Sequence, residues 1–266
     1  MWKPLRTIVC LSLFGQLVSV WPFAQQERAG AEALSGIEVA RRMYGANPSS
    51  DSVATLQMTV HRGEQQLVRA LKVFTKTYEG EERRLFQFLK PASVRDTAYL
   101  VRSHENRERE DEIWVFIPAE GIVRRVSGGG KKGAFMRSDL AVEDLEKRYV
   151  EDDQHRLLGS EIRGGHACYI LEMVPGASLN SNYARRILYV RKDIWLPVET
   201  VFFDQRGDPV KTAWYEGFER VQDIWTITRM RVATARKGTH TVVTYEDIRF
   251  NTGLADSLFD KNNLKR

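Results

Sequence analysis

The spacing of apolar positions changes twice along the chain. In 35–47, "SGIEVARRMYGAN", Ile37, Ala40, Met43 and Tyr44 fall on one helical face. Ser35 and Glu38 form a capping box, Gly45 can close the end, and Asn47-Pro48-Ser49 stops the helix. After Asp51 the period becomes two: Ala54, Leu56, Met58 and Val60 alternate with Thr55, Gln57 and Thr59, predicting a half-buried strand. Turns at His61-Arg62-Gly63-Glu64 and Tyr78-Glu79-Gly80-Glu81 bound a longer strand at 67–78, and 85–89 returns. Further strands are predicted at 97–102, 113–117, 122–126, 155–162, 167–174, 184–191, 197–204, 209–221, 225–236 and 239–250. Closely spaced strands with short Gly, Pro, Asp or Asn turns make an antiparallel meander rather than βαβ units.

One stretch interrupts the meander. "SGGGKKGAFMRSDLAVEDLEKRY" opens as a glycine-lysine loop at 127–133 and offers Ser138 or Asp139 as an N-cap. Leu140, Leu145 and Tyr149 then form the apolar side of a predicted second short helix. Two short amphipathic helices and one long sheet suggest a sheet with helices over one face.

Several strands are apolar on both faces. Phe86 and Phe88 oppose Leu85 and Leu89, and Trp114 and Phe116 oppose Ile113, Val115 and Ile117. Phe202 and Phe203, then Trp214, Tyr215 and Phe218, enrich two later strands. Such strands are covered on both sides. An ordinary packed core accounts for this. So does a curved sheet whose concave face lines a pocket for an acyl chain. The residues proposed for such a pocket are Phe86, Phe88, Trp114, Phe116, Phe202 and Trp214.

The N-terminus points to export. Lys3 and Arg6 precede an apolar run from Thr7 to Phe23 and then small residues, the layout of a secretory signal peptide. Cleavage fits after Ala24, Ala31 or Ala33, and the domain boundaries are set at 1–31 for the signal and 35–266 for a single mature domain. An uncleaved anchor is the alternative, but Ser12, Gly15, Gln16 and Ser19 interrupt the core. Cys10 lies in that core without a lipid-attachment pattern, so no lipoprotein is expected. Cys168 is then the sole thiol, read as a buried strand residue, and the domain folds without a disulfide. Removing 1–31 takes away Lys3, Arg6 and Arg28 against Glu27, lowering the formal net charge from +5 to +3. Nucleic acid is a poor match for an exported chain so balanced.

Tests for chemistry come back empty. Gly128 to Gly133 lacks the Ser or Thr of a phosphate loop. His61, His104, His155, His166 and His240 are scattered without metal-ligand spacing. No G-x-S-x-G elbow or S-x-x-K motif is present, and the run "RSHENREREDE" reads as a solvated hairpin tip. No cofactor is expected.

Three segments carry a family resemblance: "FLKPASVRDTAYLV", "DEIWVFIPAEGIVRRVSGGGKKGAFMRSDLAVEDL" and "WLPVETVFFDQRGDPVKTAWYEGF". They resemble the LolA-like outer-membrane lipoprotein-sorting proteins, in the branch that accompanies RND/MMPL-type exporters. The resemblance runs from about Ile37 to "SLFDKNNL" and is most specific at 135–139 with Glu143-Asp144-Leu145; it departs at Arg137, where a small residue is usual. It implies a mainly β (α+β) domain: a strongly curved, incomplete antiparallel β-barrel of about 11 strands, with short helices as a lid over an apolar cavity. It further implies a periplasmic, non-catalytic carrier that binds lipoprotein acyl chains or free lipid. Its partners would be an inner-membrane RND/MMPL-type or lipoprotein-releasing transporter and an outer-membrane receptor. Gly128, Gly130, Phe135, Met136, Leu140 and Leu145 are the lid and loop candidates, with a static hairpin as the alternative. Arg124, Arg125, Lys131 and Lys132 are the candidates for contact with headgroups or an acidic partner. Two other classes remain: a sensor of envelope lipids or lipoproteins on the same fold, and an enzyme using the cavity.

Overall fold

The computed structural model describes residues 34–106, 108–177, 179–235 and 238–265. The predicted signal peptide, its cleavage sites and Cys10 lie outside them. Leu34–Arg266 form one compact unit. Among the described residues its elements are one α-helix, α1 (Gly36–Tyr44), thirteen strands and several short 3-10 turns. The first six are β1 (Asp51–Arg62), β2 (Gln65–Tyr78), β3 (Glu81–Lys90), β4 (Ala98–His104), β5 (Glu112–Ile117) and β6 (Ile122–Val126). After a long connection come β7 (Asp153–Arg163), β8 (His166–Pro175), β9 (Arg185–Arg191) and β10 (Pro197–Phe203). The chain ends with β11 (Pro209–Val221), β12 (Ile224–Thr234) and β13 (Thr239–Phe250).

All thirteen strands join one antiparallel sheet, ordered β6-β5-β4-β3-β2-β1-β13-β12-β11-β10-β9-β8-β7. The count exceeds the expected 11 or so because the sheet takes in every predicted strand, including the short β6. Glycines allow the tightest turns: Gly63 and Gly80 sit at φ 56 and 71°, where a β-carbon would be strained.

The order has one decisive consequence. The first strand pairs with the last in the middle of the sheet, from Ser52 opposite Phe250 to Arg62 opposite Thr239. The barrel therefore stays open, with β6 and β7 as its two edges. These are consecutive in the chain but farthest apart in the sheet, so residues 127–152 must travel from one edge to the other.

That crossover runs over the inner face. Phe135, Val142 and Leu145 pack with Leu56, Met58, Phe86, Phe88 and Val243 in one buried cluster. The predicted second helix does not form there. Three short 3-10 turns, Phe135–Arg137, Val142–Leu145 and Val150–Asp152, take its place. Distance gives the reason. A helix advances about 1.5 Å per residue and an extended chain more than twice that, and this segment must span the sheet. Asp139, a predicted cap, instead turns its carboxylate to the sheet and accepts hydrogen bonds from Thr234, Thr239 and Thr241 at 3.1, 2.9 and 2.7 Å.

The other end of the inner face is closed by α1. Ser35 caps it through the Glu38 amide. Its buried side is Val39 and Ala40, set against Leu171, Met173, Leu188 and Val190. Ile37, expected on that face, is 39% exposed; Val39 takes its place beside Ala40. Gly36 permits the close approach, since a β-carbon there would meet the backbone of His155 and Arg156 at 2.8 Å.

The outer face of β3 to β5 is also covered. The C-terminal tail lays Phe259 and Leu264 against Leu85, Leu100 and Phe116. Asp51 fixes the start of the tail by accepting from the Thr252, Gly253 and Leu254 amides and the Thr252 hydroxyl. Burial pushes this carboxyl up, but the four donors outweigh it and hold it below the usual carboxylate range.

Candidate functional site

Between the crossover and the inner face of the sheet lies a cavity of about 550 Å³. Its floor comes from β1 to β3 and β11 to β13, with Leu56, Met58, Leu71, Phe86, Met230 and Val243 as its apolar surface. These are the inward positions of alternating strands, which is why side chains so distant in sequence converge. The volume lies in the range of sites that enclose a drug-sized ligand, roughly 300–1,000 Å³.

The rim has a different chemistry. Lys211 reaches inward from β11 and is 5% exposed. Its ammonium donates to Asp144 Oδ2 of the crossover at 2.5 Å and to the Tyr183 hydroxyl. Asp144 also accepts from the Tyr183 hydroxyl at 3.1 Å and from the Ala141 amide at 2.7 Å. Burial pulls the Lys211 ammonium below its ordinary range while Asp144 opposes it, and burial with Asp144 pushes the Tyr183 phenol up. Beside them Glu143 accepts from Ser181 Oγ at 3.0 Å and the Asn182 amide at 2.9 Å, with burial raising its carboxyl. The arrangement ties the crossover to β11 and to the 181–183 loop over a chamber with an apolar floor, lined elsewhere by charged groups that include Arg84, Glu146, Arg148 and Arg186. It can enclose an apolar body and hold its cover shut.

The structure sorts the sequence candidates. Phe86 and Phe202 line the cavity. Phe88 points the same way but is fully buried beneath Phe135 and Tyr99, with ring centroids 5.9 and 6.4 Å away. Trp114 and Phe116 face outward and belong to the core beneath the tail, where Lys261 sits 4.4 Å over the Trp114 ring. Trp214 also faces outward, because its neighbours Ala213 and Tyr215 take the inward positions; Arg231 covers its ring at 3.7 Å. Alternation paired these residues correctly, but period two carries no sign for which face is concave.

Of the lid candidates, Phe135, Leu140 and Leu145 line the cavity. Met136 touches the Tyr99 hydroxyl through its sulfur, and Gly128 and Gly130 form the turn after β6. The basic candidates do not form one patch. Arg124 and Arg125 are exposed near Glu120 and Glu110, and Lys132 is exposed. Lys131 turns inward to Glu146 at 2.8 Å and lines the cavity. Sequence reasoning missed Lys211, Asp144 and Tyr183. Lysine at an inward strand position was the available signal, visible only once the faces of β11 are known.

Comparisons with known proteins agree with this architecture. A family model described as "-like: Uncharacterized protein" matches residues 80–266. No curated protein matches the chain. A DUF1329 family protein from Desulfovibrio piger is 36% identical with a TM-score of 0.84, over 86% of this chain and 97% of that one. A putative outer membrane lipoprotein-sorting protein domain from Vibrio parahaemolyticus is 30% identical with a TM-score of 0.82, over 87% of this chain and 98% of that one. The LolA superfamily protein NE2245 from Nitrosomonas europaea shares the fold, at 20% identity and a TM-score of 0.68 over 86% and 99% of the two chains. The family model over 80–266 and the 36%-identical relative show that the chain belongs to the DUF1329 family, with a fold similar to that of outer membrane lipoprotein-sorting and LolA superfamily proteins.

Proposed function

We propose that this protein is an exported, non-catalytic carrier that takes an acyl chain into its cavity and passes it between the inner and outer membranes. The observation that carries the reading is the chamber itself: an apolar floor on a rigid sheet under a crossover that polar groups hold in place. Each methylene removed from water contributes about 0.8 kcal/mol, so a long chain is retained without any specific contact. Release then requires the cover to move, and the crossover is the part that can do so. It is bound to the sheet through side chains rather than by a strand ladder.

The periplasmic setting rests on the N-terminal signal pattern, with the mature domain taken as 35–266. The donor rests on family resemblance: an RND/MMPL-type or lipoprotein-releasing transporter in the inner membrane, with an outer-membrane receptor as acceptor. Lipoprotein acyl chains and free lipid both suit the floor. The test is to purify the mature protein from the periplasm under native conditions and identify bound lipid by mass spectrometry. A defined acyl lipid in stoichiometric amount is expected. A consistently empty protein that also fails to take up a fatty acid would overturn the reading.

A further inference from the structure

A second feature of the inner face lies outside the cavity wall and has no part in the carrier reading. Arg69 of β2 occupies an inward position, directly across from Met58 of β1. It is only 8% exposed, and its Nη1 is buried without a hydrogen-bond partner. Burying a guanidinium without compensation is unfavourable, and such groups are normally paired. The charges that act on Arg69 are Arg137 and Arg62, both of its own sign. Arg62 points inward at the end of β1 and donates from Nη2 to the Arg137 carbonyl at 2.7 Å. Among the described residues no carboxylate pairs with any of these three arginines.

The crossover is bent to bring this about. Met136 and Arg137 both have positive φ, 48 and 59°, in the left-handed region that costs non-glycine residues free energy. Two successive residues are held there, and the second, Arg137, is exposed like Arg62, which donates to its carbonyl, while Arg69 is the buried member of the group. The geometry points to an oxyanion site: Arg62, Arg69 and Arg137 together bind a phosphate group, which supplies the counter-charge that the chain itself lacks. The planar guanidinium fork matches phosphate oxygens two at a time, and a tetrahedral dianion can engage all three side chains. The same chemistry is offered by free phosphate and by a phospholipid headgroup.

The test uses thermal unfolding of the full mature protein in buffer free of phosphate and sulfate. Two probes are added separately: inorganic phosphate, and dihexanoyl phosphatidic acid below its micellar concentration. Phosphate should raise the Tm of the wild type and leave that of Arg69→Met unchanged. Without anion, Arg69→Met should melt above the wild type, because the uncompensated charge is gone. Arg137→Gly keeps the left-handed turn without strain and should weaken phosphate binding at least ten-fold, which serves if Arg69→Met fails to fold. An Arg69-dependent effect of the lipid at ten-fold lower concentration than phosphate assigns a headgroup as the ligand; equal potency assigns free phosphate. If neither probe shifts the wild type, or if the shift survives in both variants, there is no site. The readout with inorganic phosphate is independent of acyl binding, so failure here leaves the carrier reading standing, and the reverse.

Discussion

Lys211 and Asp144 tie the crossover to β11 beside the cavity. Both are largely withdrawn from water, and they also share the Tyr183 hydroxyl. Removing one partner of such a pair strands the other, so Lys211→Met should lower stability by about 3 kcal/mol in urea unfolding. The double variant with Asp144→Asn should cost clearly less than the two single changes summed, since neither charge is then left alone. Asp51 makes the opposite case, a carboxylate stabilised by its donors. Its folded pKa lies below the unfolded one, so its contribution is fully present above about pH 4 and is lost as the pH falls through the depressed value. Asp51→Asn should therefore cost about 2 kcal/mol at neutral pH, a gap that closes toward pH 2 in acid-unfolding curves. Neither pair was legible in the sequence. Asp51 meets the residues around Thr252, and Lys211 meets Asp144, only after the sheet has formed.

At the scale of elements, strands were the readable part. Apolar alternation located them because most carry a face of β-branched or aromatic side chains turned to the core, although β6 buries no residue and β7 only Asp153. The crossover was misread as helical because its apolar spacing was judged without the distance it must cover. That segment depends on anchors, so loosening one should show locally. Asp139→Ala leaves three threonine hydroxyls without their acceptor and should speed amide hydrogen exchange across the crossover at a cost of about 1–3 kcal/mol. At the other end, Gly36→Ala drives a methyl into the β7 backbone. Detachment of α1, with loss of its helical signal before global unfolding, is expected in thermal circular dichroism, at about 1–3 kcal/mol. The reverse result, a more stable helix, would mean that α1 and β7 are not in contact.

For the whole molecule, the topology sets what is possible. Pairing the first strand with the last in mid-sheet leaves two free edges and forces the intervening chain across the concave face. A cover, a chamber and an opening follow from that single choice. The family resemblance anticipated the open antiparallel sheet, though not the extended crossover in place of a helix, whereas composition and periodicity alone could not separate a pocket from an ordinary core. Trp114 and Phe116 show why: they are core beneath the C-terminal tail, as apolar as any cavity wall, and only their side of the sheet tells them apart. On the proposed function, the chamber on the inner face holds an acyl chain. Fluorescent fatty-acid titration of the wild type, Ala213→Trp and Trp114→Ala tests it most directly, because Ala213 lines the chamber and Trp114 lies on the opposite face. Saturable binding by the wild type, a loss of at least ten-fold in affinity for Ala213→Trp, and near-wild-type binding for folded Trp114→Ala are expected. Undiminished binding by Ala213→Trp, or none by the wild type, would contradict the proposed function.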